Sequence, residues 1–282
     1  MLISPVTYQG GKQRLATQII ETMAVPKAAT FFELCCGSGA VSLALVERGH
    51  DPTRICMVDQ GPWGLFWESV GTGSFDMQRF REIVALLPDD PKAIKTVIER
   101  LHRETPATSD VPYVFLLLQA AAIGGKAVSI ENGRWKRGSG YRDFWLPTAT
   151  SSRRSHANPM MPMPDTIMAR VEEIVVRMKG VDAACGDASL IRIGTRADRG
   201  YCAVAYIDPQ YEGTTGYPYS IDAVATAKAI GCPCWVSEGR ALSEGAICLS
   251  KGRSKGGITG KRKKAANEEW LSPFSMDGND GC

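Results

Sequence analysis

The residues best equipped for chemistry lie where the apolar run from Cys202 to Ile207 stops at Asp208-Pro209-Gln210-Tyr211. A run of this length and composition predicts a buried strand. Pro209 ends it, because proline has no N–H to give to a ladder. A carboxylate, a carbonyl on a stiff turn and an aromatic ring therefore follow one another at a strand end. Two acceptors side by side can take both protons of an amine, and the ring can stack on a flat heterocycle. That suits an amine whose lone pair is delocalised into a ring and which is nucleophilic only when both protons are drawn off-plane. Asp-Pro also opens ordinary turns, so the rest of the chain has to support the chemical reading.

Support comes from the elements upstream. Thr30 to Leu34 reads as a short strand, followed by a turn with Gly37 and Gly39 and an apolar helix through Leu45. Such glycines let backbone amides face a ligand at a helix N-terminus. Glu33, an acid inside the strand end, suits an ammonium group. About twenty residues further on, the strand Arg54–Asp59 ends in a second acid, where nucleotide-binding α/β folds take ribose hydroxyls. Asp59 equally suits a helix cap. Near the start, Tyr8-Gln9-Gly10-Gly11-Lys12 precedes a helix expected to begin near Lys12, with Leu15, Ile19, Ile20 and Met23 on its inner face. Lys12 can reach a carboxylate or a phosphate from there, or simply be solvated. Asp187, after a strand at Val181–Ala184, can meet an adenine amine or cap a helix from Ala188.

Two stretches carry the positive charge. Between Gly124 and Arg154 stand Lys126, Arg134, Lys136, Arg137, Arg142, Arg153 and Arg154, interleaved with Trp135, Tyr141, Phe144 and Trp145. Mixed with glycines, these predict a loop or hairpin surface that grips phosphates and touches bases. The second stretch, 251–264, holds Lys261 and Arg262 among other basic residues and no acid. Residues 61–123 read as mainly helical, with Trp63, Phe66 and Trp67 assigned to the core and Tyr113–Ile123 as a buried apolar helix.

The bulk properties exclude more than they assign. A chain of 282 residues allows one large domain, or one domain with an insertion. The net charge of +3 says little about partners. No apolar run reaches the roughly 20 residues that cross a membrane, and the N-terminus lacks a signal-peptide pattern. Nine scattered cysteines predict reduced thiols and a cytoplasmic protein. The three dispersed histidines predict no metal site. Oligomeric state is not legible.

Taken in order, the series Tyr8-x-Gly-Gly-Lys12, Phe32-Glu33-x-x-x-Gly37-x-Gly39, Val58-Asp59, a basic insertion and Asp208-Pro-Gln-Tyr211 resembles the Dam-like adenine-N6 DNA methyltransferases, many of them phage-borne. The resemblance runs from about residue 5 to about residue 274. It implies an α/β, Rossmann-like sheet for S-adenosyl-L-methionine (SAM), formed by residues 1–60 and 165–282. An inserted, mainly helical target-recognition domain would occupy 61–164 and hold double-stranded DNA. It further implies that Tyr8, Gly11, Lys12, Glu33, Gly37, Gly39, Asp59, Asp187 and Asp208 contact the cofactor. Asp208, Pro209 and Tyr211 would hold an adenine flipped out of the duplex. Gln210 stands where the family has a second proline. The alternatives are a cytosine-N4 methyltransferase and a catalytically weak DNA-binding relative.

Overall fold

The computed structural model describes residues 2–90, 93–142, 162–193, 202–212, 218–251, 255–256, 262–263 and 268–275. Helix α1 (Ala16–Met23) precedes strand β1 (Thr30–Leu34), helix α2 (Ala40–Glu47) and strand β2 (Ile55–Asp59). Then come helices α3 (Pro62–Gly71), α4 (Met77–Val84), α5 (Ile94–Arg103) and α6 (Val111–Ala121), and the hairpin β3 (Val128–Glu131) and β4 (Arg134–Arg137). The second half holds α7 (Pro164–Arg177), β5 (Asp182–Cys185), β6 (Ala203–Ile207), α8 (Ala223–Ala229), β7 (Cys234–Glu238) and β8 (Ile247–Ser250). A short ladder of β9 (Lys255–Gly256) with β10 (Arg262–Lys263) precedes β11 (Glu269–Phe274).

Seven strands form one sheet in the order β5-β2-β1-β6-β7-β11-β8. The first five in that order are parallel, and β11 runs antiparallel to both neighbours. The chain thus moves outward from β1 through β2 to β5, then reverses to place β6 on the other side of β1. Open α/β sheets bind ligands at this reversal, outside the carboxyl ends of the strands. Every residue of β6 is buried, as expected of a parallel strand covered on both faces.

The helices of the 62–121 stretch share the sheet's core. Phe31, Leu43, Trp67, Phe80, Ile98 and Leu116 belong to one apolar cluster. All residues of α6 are buried, and each Leu or Phe so covered contributes about 1.5–3 kcal/mol. Helix α3 lies directly on the sheet: a Cβ on Gly64 would stand 2.3 Å from the Asp59 carbonyl oxygen. Gln119, fully buried on α6, donates to the carbonyls of Thr7, Gly125 and Lys126 and accepts from the Val128 amide. It thereby ties the N-terminal loop to the root of the hairpin.

Several expectations shift. Helix α1 starts at Ala16 rather than near Lys12, because residues 12–15 form a turn in which the Lys12 carbonyl accepts from Leu15 and Ala16. Asn132 and Gly133, at φ 51 and 71, make the tight turn of the β3–β4 hairpin. Strand alternation then drives Trp135 into the core, and Tyr141 is buried with it, so neither ring belongs to an exposed surface. Arg142 is also turned inward, donating to the Ala120 carbonyl. Seven described cysteines are free thiols, but Cys202 is disulfide-bonded, which corrects the expectation of reduced thiols throughout. Spacing along a chain does not show which cysteines a fold brings together. Among the described residues no helix is long and apolar enough to cross a membrane.

Candidate active site

A cavity of about 330 Å³ opens at the sheet's reversal point. The Tyr8–Lys12 loop, the turn after β1, the end of β2 and the Asp208–Tyr211 turn after β6 all line it. Residues far apart in sequence meet there because parallel strands end on one side. The Asp208 amide donates to the Leu34 carbonyl at 3.1 Å, and the Cys36 amide to the Val58 carbonyl at 3.1 Å.

The turn after β1 is built to be tight. Gly37 and Gly39 sit at φ 47 and 66, where other residues are strained. A Cβ on Gly37 would lie 2.8 Å from the Tyr8 ring. On Gly39 it would lie 2.4 Å from the ring of Trp67, whose indole donates to the Gly37 carbonyl at 2.8 Å. Asp59 closes the turn from β2, accepting from the Gly37 amide at 2.7 Å. Glu33 accepts from the Val41 and Ser42 amides, so it also anchors the start of α2. Gly11 is close-packed as well: its Cβ would be 3.1 Å from the Tyr8 carbonyl oxygen.

Opposite the turn stands a charged cluster. The Lys12 ammonium lies 2.7 Å from Asp208 Oδ1 and 3.7 Å from Glu269 Oε1, and 4.7 Å from the Tyr211 ring centroid. The Tyr211 hydroxyl donates to Glu269 at 2.5 Å. Burial opposes the Lys12 charge, but Asp208 and Glu269 outweigh it and hold the ammonium above its usual pKa. Burial lifts Asp208 to about 6, with Glu269 adding to the rise and Lys12 pulling against it. Burial likewise pushes Glu33 and Asp59 up to about 7, against the hydrogen bonds from their neighbouring amides. Burial, with Asp208 and Glu269 beside it, holds the Tyr211 hydroxyl far above its usual pKa, so it remains a donor. Four acids, Glu33, Asp59, Asp208 and Glu269, thus line the cavity with Lys12.

The structure brings Tyr8, Gly11, Lys12, Glu33, Gly37, Asp59, Asp208, Pro209 and Tyr211 to the cavity, whereas Gly39, at the N-cap of α2, packs against Trp67 and is not in the lining. Asp187 behaves as a cap, accepting from the Ser189 amide, while its neighbours Gly186 and Ala188 line the wall. Lys12 faces Asp208 rather than the glycine turn. Lys126, Arg134, Lys136 and Arg137 sit on or beside the hairpin whose root, Ala127 to Ser129, forms part of the cavity wall. Lys136 is near Glu131, and Arg137 covers the Tyr141 ring. Arg153, Arg154 and Lys261 lie outside the described residues, and of Arg262 only the backbone, in β10, is described.

Many lining residues carried no site signal in the sequence, among them four polar or aromatic groups at the wall. Glu269 starts a strand, Trp63 reads as core, Ser129 lies in the hairpin and Tyr219 follows the 213–217 stretch. For Glu269 the usable clue is an acid beside the apolar run Trp270-Leu271. Among the described residues, no group of histidine, cysteine or acidic side chains could hold a metal ion. No protein-family model matches the chain, and no curated protein matches it at a significant level.

Proposed function

We propose that the chain is a site-specific, SAM-dependent DNA methyltransferase acting on the N6 amine of an adenine turned out of the duplex. One observation carries this reading: the glycine turn and the Asp208–Tyr211 turn line the same cavity, whose wall holds four acids and Lys12. An acid-rich cavity disfavours the phosphates of a dinucleotide and favours a cation. The close-packed glycines at 11 and 37 let Tyr8 pack tightly against the turn, and the backbone of both loops lines the cavity. Residues Glu33, Asp59, Tyr8 and the Gly37 turn fit the cationic methionine and ribose parts of SAM.

Bound there, SAM supplies a methyl group whose C–S bonding pair stays on sulfur, so the amine lone pair forms the new N–C bond. Asp208 and the Pro209 carbonyl accept the amine protons and orient that lone pair. Lys12 already occupies Asp208 Oδ1, which leaves Oδ2 for the amine. After transfer the nitrogen is acidic, and its proton passes to the Asp208 carboxylate or to water. Tyr211 offers the ring face away from Lys12 for stacking, a contact worth about 1–3 kcal/mol per base. Binding and positioning account for most of the rate gain. The hairpin's Arg134, Lys136 and Arg137 are exposed beside the cavity wall and suit phosphates. Each phosphate neutralised steepens the loss of affinity with salt.

The test is modification mapping of DNA from a methylation-free host that expresses the chain. N6-methyladenine in a fixed context is the expected result. N4-methylcytosine would move the reading to the other amine, and bound SAM with unmodified DNA would make the chain a silent relative.

The cavity's acids also set a pH dependence. Glu33, Asp59 and Asp208 titrate between about 6 and 7 in the free protein. A cationic ligand favours their ionised forms, so binding releases protons and tightens as pH rises from 5.5 to 7.5, by up to about tenfold per unit for each proton released. Calorimetry in buffers of different ionisation enthalpy measures this directly. S-adenosylhomocysteine, lacking the sulfonium charge, should show the shallower slope.

A further inference from the structure

In the sequence Glu269 only opens the late Glu269-Trp270-Leu271 strand and carries no site role, yet it joins Tyr211 to Lys12. It lies at the first position of β11, an antiparallel strand with no part in the glycine turn. Its side chain accepts the Tyr211 hydroxyl and lies 3.7 Å from the Lys12 ammonium. Its neighbour Glu268 is exposed and bonds the Trp270 indole instead, so alternation along the strand selects Glu269 for the interior. We propose that Glu269 is a positioning residue: it fixes the Tyr211 ring and the Lys12 ammonium so that Asp208 presents its outer oxygen to the substrate amine. This rests on the transferase reading and extends it to a residue on β11, an antiparallel strand between β7 and β8.

A buried carboxylate held only for packing would be an expensive choice, because an apolar residue of similar size packs as well without desolvation. Glu269 makes two polar contacts, and both lead to groups around Asp208. Asp208 also faces Tyr206, Glu33, Asp59, Cys35 and Glu238. Tyr211 touches both Glu269 and Lys12 directly.

The variant Glu269→Gln keeps the shape and removes the charge. The expected result is a kcat about tenfold lower with KM for SAM and DNA changed less than twofold. The acid limb of the kcat–pH profile, set by Asp208, should move to lower pH, because a negative neighbour has gone. A plain folding defect would lower the plateau and leave that limb in place. Tyr211→Phe combined with Glu269→Gln should lose no more than the worse single variant; losses that multiply would overturn the proposal. A readout free of turnover is the Asp208 carboxyl signal in ¹³C NMR, assigned with Asp208→Asn. Its pKa should fall in Glu269→Gln, and an unchanged pKa would overturn the coupling even if the wild-type chain transferred no methyl group. Transfer failing in the wild type while this shift appears would sink the transferase reading alone.

Discussion

For the transferase we propose, Asp208→Asn is expected to lower methyl transfer by roughly a thousandfold with SAM binding retained, the size of effect seen when one preorganised polar contact to a reacting group is lost. The amide presents N–H where the amine needs an acceptor, so the lone pair is no longer aimed. Stability falls as well, because the oxygen 2.7 Å from Lys12 loses its negative charge, and the buried ammonium keeps only one acid, Glu269 at 3.7 Å, beside the Gly10 carbonyl and the Tyr211 ring. Breaking a buried pair on one side costs about 3 kcal/mol. A second substitution separates the two effects. Lys12→Met with Asp208→Asn removes the stranded ammonium and should restore the urea midpoint, but not transfer. If the double variant regains activity, Asp208 serves only as a counter-ion, and its assignment to the amine is wrong.

Gly39→Ala is the second large effect, and it acts on the fold. Gly39 sits at φ 66, and its Cβ would lie 2.4 Å from the Trp67 ring and 2.7 Å from Met57 Cε. Met57 is flexible at that end, but Trp67 is fully buried among Phe66 and its neighbours. The ring cannot turn away without giving up its hydrogen bond to the Gly37 carbonyl. Strain and overpacking together should cost about 3 kcal/mol or more. Gly49→Ala is the control, since Gly49 has φ 86 with nothing within 4 Å of a Cβ. It bears the backbone strain alone, about 1 kcal/mol. Chemical denaturation of both variants reads the difference; equal losses would mean that Trp67 yields and that the turn is looser than its geometry.

The sequence carried the elements well where apolar periodicity was strong. Helices α2 and α6 and the strands β1, β2, β5 and β6 lie where their residue patterns put them, and the described part of the 61–123 stretch is mainly helical. Strand β8 was not legible, since Ile247 to Ser250 is short and half exposed. That β1 and β6 are neighbours followed only from the resemblance to a Rossmann-like sheet, because nothing local in Ala203–Ile207 shows that it will pair with Thr30–Leu34. The same limit applies to the site. Asp208 and Tyr211 stand out by their spacing, whereas the partners that hold them are distant: Lys12 lies 196 residues from Asp208 and Glu269 lies 58 from Tyr211. Basic residues were legible as a cluster but not by direction. Arg142 turns inward and Trp135 packs into the core, because a hairpin on a helical base has one inner face to fill.

Gln119 has a consequence for how such a chain could change its preferences. Its one carboxamide fastens the Thr7 carbonyl, the Gly125 and Lys126 carbonyls and the Val128 amide into a single joint. Because all four partners are backbone groups, the arm bearing Arg134 and Lys136 is held by its path at residues 125–128 and not by its side chains. A foreign arm that shifted that path would disturb the Tyr8 loop through the same carboxamide, whereas side-chain replacement along the existing hairpin leaves the joint intact.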